Sequence, residues 1–129
     1  MQTQIKFLGC KIDLSKRPLI PRPETKFWVG QVIKNYKLKI KNSKILDIFA
    51  GSGCIGLAIE KHIKNAQVYF ADKYQYFEHK NFIKSDIFSK VVGKYDYIFA
   101  NPPYVAEKMR HLVQKSVLEQ EPHLSLIHI

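Results

Sequence analysis

The spacing of apolar and polar positions changes several times along the chain, and each change marks an element. Residues 4–20 alternate and read as two short strands around a turn near Leu14–Arg17. Pro23 suits a first helical position and Glu24 a first turn, and Phe27, Val29, Val32, Ile33 and Tyr36 follow with mostly helical spacing. Lys41-Asn-Ser breaks that helix. Residues 44–49 form a short apolar run that reads as a strand, and Ala50-Gly-Ser-Gly turns it into a second helix over roughly 53–64. Residues 66–72 read as the next strand, 81–88 contain a shorter one, and 94–100 a fourth. Beyond Pro103 the run 106–120 reads as partly helical. Strand, helix, strand and further strands indicate an α/β domain with a mostly parallel sheet.

Composition alters this picture little. At 129 residues with 46% apolar and 25% charged side chains, the chain fits one ordinary globular domain, without repeats or low-complexity linkers. No apolar run reaches membrane-span length, and the N-terminal residues lack the apolar core of an export signal, so a cytoplasmic protein without a membrane partner is expected. Cys10 and Cys54 are too few for a disulfide framework, and no Cys/His cluster has metal-binding spacing. The formal charge of +10 is nearly all scattered lysine, with arginine only at positions 17, 22 and 110. It reads first as a solvated surface, and second as attraction toward RNA or an acidic partner.

The segment from Asp47 to Gly56 contains G-x-G-x-x-G between a strand and a helix, with Asp72 at the end of the following strand. Glycines permit the tight turn and close ligand approach, the helix start offers free N–H groups, and an acidic residue about 20 positions on suits a ribose. Two nucleotide-like ligands fit, a dinucleotide or S-adenosylmethionine. Asp47 is awkward beside a pyrophosphate and suited to the cationic groups of the latter; it can equally tie down the loop through backbone hydrogen bonds. Asp86 can accept from an adenine amino group, or act as a turn residue.

Asn101-Pro-Pro-Tyr104 lies at the carboxyl end of the fourth strand, where open α/β sheets bind ligands. An amide nitrogen is a poor nucleophile because its lone pair is delocalised. Accepting its N–H hydrogens with the Asn101 side-chain oxygen and the Pro102 backbone oxygen orients that lone pair and stabilises charge growing on nitrogen. Pro102 and Pro103 stiffen the mount, and Tyr104 can stack on a planar amide or base. Read alone, the same tetrapeptide is a strand followed by an Asn-Pro turn.

In order, "IPRPET" (20–25), "ILDIFAGSGCIGLAI" (45–59), "SDIF" (85–88), "ANPPYV" (100–105) and "EPHLSL" (121–126) resemble the HemK/PrmC family of protein-(glutamine-N5) methyltransferases, which act on the Gly-Gly-Gln loop of peptide-chain release factors. The resemblance implies a Rossmann-like class I methyltransferase sheet, with residues 1–20 as a β-hairpin linker and 21–129 as a partial catalytic domain. It implies S-adenosylmethionine as cofactor, bound by Asp47, Phe49, Ala50, Gly51, Ser52, Gly53, Asp72, Asp86, Ile87 and Asn101, with Pro21–Thr25 as a cover. It implies Asn101, Pro102 and Tyr104 as catalytic residues, and Asn101 through Tyr104 as the cradle of the substrate glutamine. The partner implied is a release factor. Amino-methylation of DNA or RNA, or an inert cofactor-binding fragment, are the alternatives. Relative to that family three parts are expected to be missing: the N-terminal helical domain, a helix between Asp72 and Asp86, and the strands after the fourth.

Overall fold

The computed structural model describes residues 3–101 together with the backbone of a two-residue strand at Ser125–Leu126. The elements run β1 (Gln4–Phe7), β2 (Cys10–Asp13), α1 (Pro23–Ile40), β3 (Lys44–Ile48), α2 (Cys54–His62), β4 (Gln67–Asp72), β5 (Phe82–Lys84), β6 (Tyr97–Ala100) and β7 (Ser125–Leu126). Strands β3 to β7 form one parallel sheet in the order β5-β4-β3-β6-β7.

β3 is central, paired along both edges with Val68–Ala71 and Tyr97–Ala100, and each of its faces packs into a hydrophobic cluster. Ile45, Leu46, Asp47 and Ile48 are accordingly at most 1% exposed. Such a strand shows a continuous apolar run rather than alternation, as its sequence does. Side chains still alternate between two cores. Ile45, Val68, Phe70 and Phe99 join Ile55 and Ile59 of α2 and Val29 of α1, whereas Leu46, Ile48, Ala71 and Ile98 pack on the other face with Tyr95.

The hairpin is part of the first core. Phe7, Ile12 and Leu14 are buried in it, and the His62 ring nitrogen Nε2 donates to the Leu8 carbonyl at 2.6 Å. Its turn is not where alternation placed it. Phe7 pairs with Cys10, so the chain reverses at Leu8–Gly9, both with positive φ (48° and 85°). Left-handed φ at both central residues matches the twist of a two-residue hairpin. Leu14–Arg17 is a second turn, closed by the Arg17 N–H on the Leu14 carbonyl at 2.9 Å.

Helix α1 begins at Pro23 as expected and runs on to Ile40. Val29 and Val32 face the core, whereas Phe27 and Tyr36, assigned to the same face by spacing, are 69% and 44% exposed. Trp28 takes the inward position instead, its ring lying parallel to that of Phe99 on β6 at 6.3 Å.

The sheet departs from the sequence reading at its outer strand. A fifth parallel strand, Ser125–Leu126, pairs with Tyr97 and Ile98, so the sheet does not stop at the fourth strand. As expected, the connection from β4 to β5, residues 73–81, contains no helix. A parallel crossover normally uses one to cover the sheet. Here Phe77 does so: it is 6% exposed and meets Phe70 and Phe82 edge-on, with ring centroids at 5.0 and 5.6 Å. The partly helical run expected over 106–120 lies outside the described residues.

Candidate active site

Parallel strands end at one edge of the sheet, and a cavity of about 800 Å³ opens there, over the carboxyl ends of β3, β4, β5 and β6. Its floor is the turn after β3, with Phe49, Ala50, Gly51 and Ser52 in the wall. Asp72 comes from β4, Asp86 and Ile87 from the segment after β5, and Asn101 from the end of β6. Pro21, Arg22, Glu24 and Thr25 close one side. Residues far apart in sequence thus share one wall because neighbouring parallel strands end together.

The turn is shaped by backbone conformations that few residues adopt. Phe49, Gly51 and Gly53 have φ of 57°, 54° and 80°. A Cβ on Gly51 would meet nothing closer than 4.0 Å, so that glycine serves the left-handed φ and leaves its backbone open to the cavity. Gly53 and Gly56 have a different reason. A Cβ there would stand 2.5 Å from the Phe77 ring and 2.3 Å from the Phe70 ring, respectively. Both glycines let the start of α2 sit directly on aromatic side chains.

Two acidic side chains anchor the turn and the helix that follows it. Asp72 Oδ2 accepts the Gly51 N–H at 2.8 Å and Oδ1 accepts the Lys73 N–H at 2.6 Å. Each oxygen has two lone pairs, so both retain acceptor capacity toward the cavity. Asp47 is fully buried and is not part of the cavity wall. Its Oδ2 accepts the Gly56 N–H of α2 at 2.9 Å, while Oδ1 has no hydrogen-bond partner among the described residues. Burial pushes its carboxyl well above the usual carboxylate range, against the Gly56 hydrogen bond and with a smaller contribution from the charge of Asp72. Of the two readings the sequence left open, the loop-tying contact is present.

Gly53 also lies outside the wall, as the helix cap behind it. Cys54, next in the chain, does reach the cavity; burial raises its thiol to about 12. Asn101 is half-buried, and its Nδ2 donates to the Thr25 hydroxyl at 3.1 Å, joining the start of α1 to the end of β6. Pro102, Pro103 and Tyr104 lie outside the described residues.

Several wall residues were not singled out from the sequence, among them Trp28, Ser85, Tyr74 and Tyr76. Tyr74 and Tyr76 belong to the short crossover and pair at 6.4 Å. Their signal, two aromatics just after the acidic end of a strand, is legible only once the crossover is known to lack a helix. Among the described residues no group of His, Cys, Asp and Glu could hold a metal ion.

The methyltransferase small domain family matches residues 25–125. The chain belongs to this family. As a methyltransferase small domain it is similar to proteins named release factor glutamine methyltransferase. That of Flavobacterium psychrophilum is 37% identical over 95% of this chain and 49% of its own length. The Streptococcus pneumoniae protein is 38% identical over 95% of this chain and 48% of its own length. The Leptospira interrogans protein is 30% identical over 96% of this chain and 49% of its own length. The chain therefore spans about half the length of the curated relatives it matches. No helix among the described residues is long and apolar enough to cross a membrane.

Proposed function

We propose that this domain transfers a methyl group from S-adenosylmethionine to the side-chain amide nitrogen of a glutamine, the one in the Gly-Gly-Gln loop of a peptide-chain release factor. The observation that carries the reading is the meeting of Asn101, the glycine turn and Asp72 around one cavity. The names of the relatives support the substrate.

The residues fit this cofactor better than a dinucleotide. Asp72 lines the cavity and already accepts the Gly51 N–H, a donor that a pyrophosphate at this turn would need. Phe49, Ala50, Gly51 and Ser52 would line the ligand, Asp72 would accept from its ribose hydroxyls, and Asp86 and Ile87 would border its base.

When bound, S-adenosylmethionine supplies a methyl group already activated by its sulfonium. In this reading the Asn101 oxygen would accept one N–H of the substrate amide and the Pro102 carbonyl the other, orienting the nitrogen lone pair for transfer. These two acceptors would stabilise the positive charge that the amide nitrogen carries until it loses its proton. The proton leaves nitrogen after transfer, so no general base is required beforehand. Tyr104 would supply a ring for the flat amide to stack on. A release-factor substrate places the reaction in the cytoplasm.

The test is transfer of labelled methyl from S-adenosylmethionine, by the full chain, onto release factor and onto DNA or RNA. Transfer to release factor alone, abolished in Asn101→Ala, is expected. Transfer to nucleic acid, toward which the charge of +10 would draw the enzyme, would replace this substrate with the second reading. Cofactor binding without transfer to either would mark an inert module.

A further inference from the structure

An asparagine amide is nearly symmetric in shape, and its two ends are opposite in chemistry: Oδ1 accepts, Nδ2 donates. A side chain that must accept an N–H from a substrate amide is useful in one orientation only. Turned by 180° about χ2, Asn101 would set its own NH2 against the NH2 it is meant to hold. The useful orientation must be held in place.

A threonine hydroxyl can donate as well as accept, so it can hold either end of the amide; in this structure Thr25 holds the donor end. Its hydroxyl accepts from Asn101 Nδ2 at 3.1 Å across 76 residues of sequence. Thr25 lies in the first turn of α1, two residues after Pro23, and is 4% exposed. Its position is fixed by its helix and its burial, whereas Asn101 lies just past the end of β6. Both residues line the cavity. The anchored hydroxyl engages the donor end of the amide and leaves the acceptor end for the cavity. We propose that Thr25 is a positioning residue that sets the amide of Asn101 with Oδ1 toward the substrate nitrogen, so that the 20–25 segment governs turnover as well as covering the site. This inference rests on the proposed amide methylation.

The test compares Thr25→Val, which keeps shape and removes the hydroxyl, with Thr25→Ser, which keeps the hydroxyl, in the full chain. Thr25→Val is expected to lower kcat for release factor about tenfold, the effect of losing one orienting hydrogen bond. The KM for release factor and the Kd for S-adenosylmethionine should stay within about twofold, because neither binding surface is removed. Thr25→Ser should recover most of the lost turnover. Independently of activity, the Asn101 side-chain NH2 signals in the 1H–15N spectrum, identified by their loss in Asn101→Asp, should shift in Thr25→Val and not in Thr25→Ser. If valine prevents folding, Thr25→Ala carries the same comparison.

An unchanged kcat in Thr25→Val would overturn the proposal, as would equal impairment of Thr25→Ser. A weakened cofactor Kd with kcat intact would make Thr25 a cofactor contact instead. Signals that ignore the hydroxyl in an active enzyme would remove the Thr25 role alone. A wild-type chain inactive on release factor, with signals that still follow the hydroxyl, would overturn the substrate reading and leave the hydrogen bond standing.

Discussion

Asp72 and Gly51, 21 residues apart, are joined by a 2.8 Å hydrogen bond from the Gly51 N–H to Asp72 Oδ2. One carboxylate at the end of β4 therefore shapes the turn that follows β3 and, in the proposed reading, also meets the ribose. Shape and recognition are coupled through a single side chain. Asp72→Ala should weaken S-adenosylmethionine binding by about 1.5–3 kcal/mol, the range for a hydrogen bond to a charged group. Asp72→Asn keeps an oxygen for Gly51 and should lose less. Titration calorimetry on both variants checks this, and equal losses would separate the turn from the binding.

The glycines of α2 make a packing prediction. A Cβ at Gly56 would stand 2.3 Å from the ring of Phe70, which is fully buried and cannot move aside. Gly56→Ala should destabilise the fold by about 1–3 kcal/mol from overpacking, even though alanine favours helix. Pairing it with Phe70→Leu should recover part of that loss. Urea unfolding of both single variants and the double variant measures the coupling.

Phe77 predicts how the helix-free crossover is held. Its ring covers Gly53 and packs on Phe70 and Phe82. Phe77→Ala should cost about 3–5 kcal/mol, as for a buried aromatic in a core. A loss below 1 kcal/mol would show that residues 73–81 do not cover the sheet through this ring.

Asp47 gives a pH dependence. Its carboxyl ionises near pH 4 in the unfolded chain, whereas in the native chain burial raises it well above that. Between the two values the native state holds a proton that the unfolded state has released, so stability falls as pH rises through the window. The slope approaches about 1.4 kcal/mol per pH unit. Asp47→Asn keeps an acceptor for Gly56 and removes the titration. Its stability relative to wild type should therefore grow from pH 4 toward neutrality. Unfolding at pH 4, 5, 6 and 7 tests this; a constant difference would sink it.

Cys54 should be unreactive although it borders the cavity. With its thiol raised to about 12, only about one molecule in ten thousand carries the thiolate at pH 8. Burial outweighs the favourable start of α2, and the nearby Asp47 charge adds to it. Mass spectrometry after alkylation at pH 8 should find Cys54 unmodified in native protein and modified in urea.

The sequence by itself determined what is local. A buried central strand, a glycine turn, proline at a helix start and an acidic strand end each leave a signature within ten residues, and the order of elements followed from them. Asn101 and Asp72 were legible because the chemistry of a strand's end depends on its own few residues. Tertiary structure decided whatever depends on what lies across the gap. Spacing could not tell that Trp28 rather than Phe27 turns inward, because the choice depends on Phe99 on β6. Alternation placed the hairpin turn at Leu14–Arg17, and the twist and register of the paired strands placed it at Leu8–Gly9. No window contains both Ser125–Leu126 and its partner β6, so the fifth strand emerged only from pairing. The contact between Thr25 and Asn101 is of the same kind. Each residue was in view as part of a separate motif, and the hydrogen bond between them exists only because α1 and β6 end beside one another.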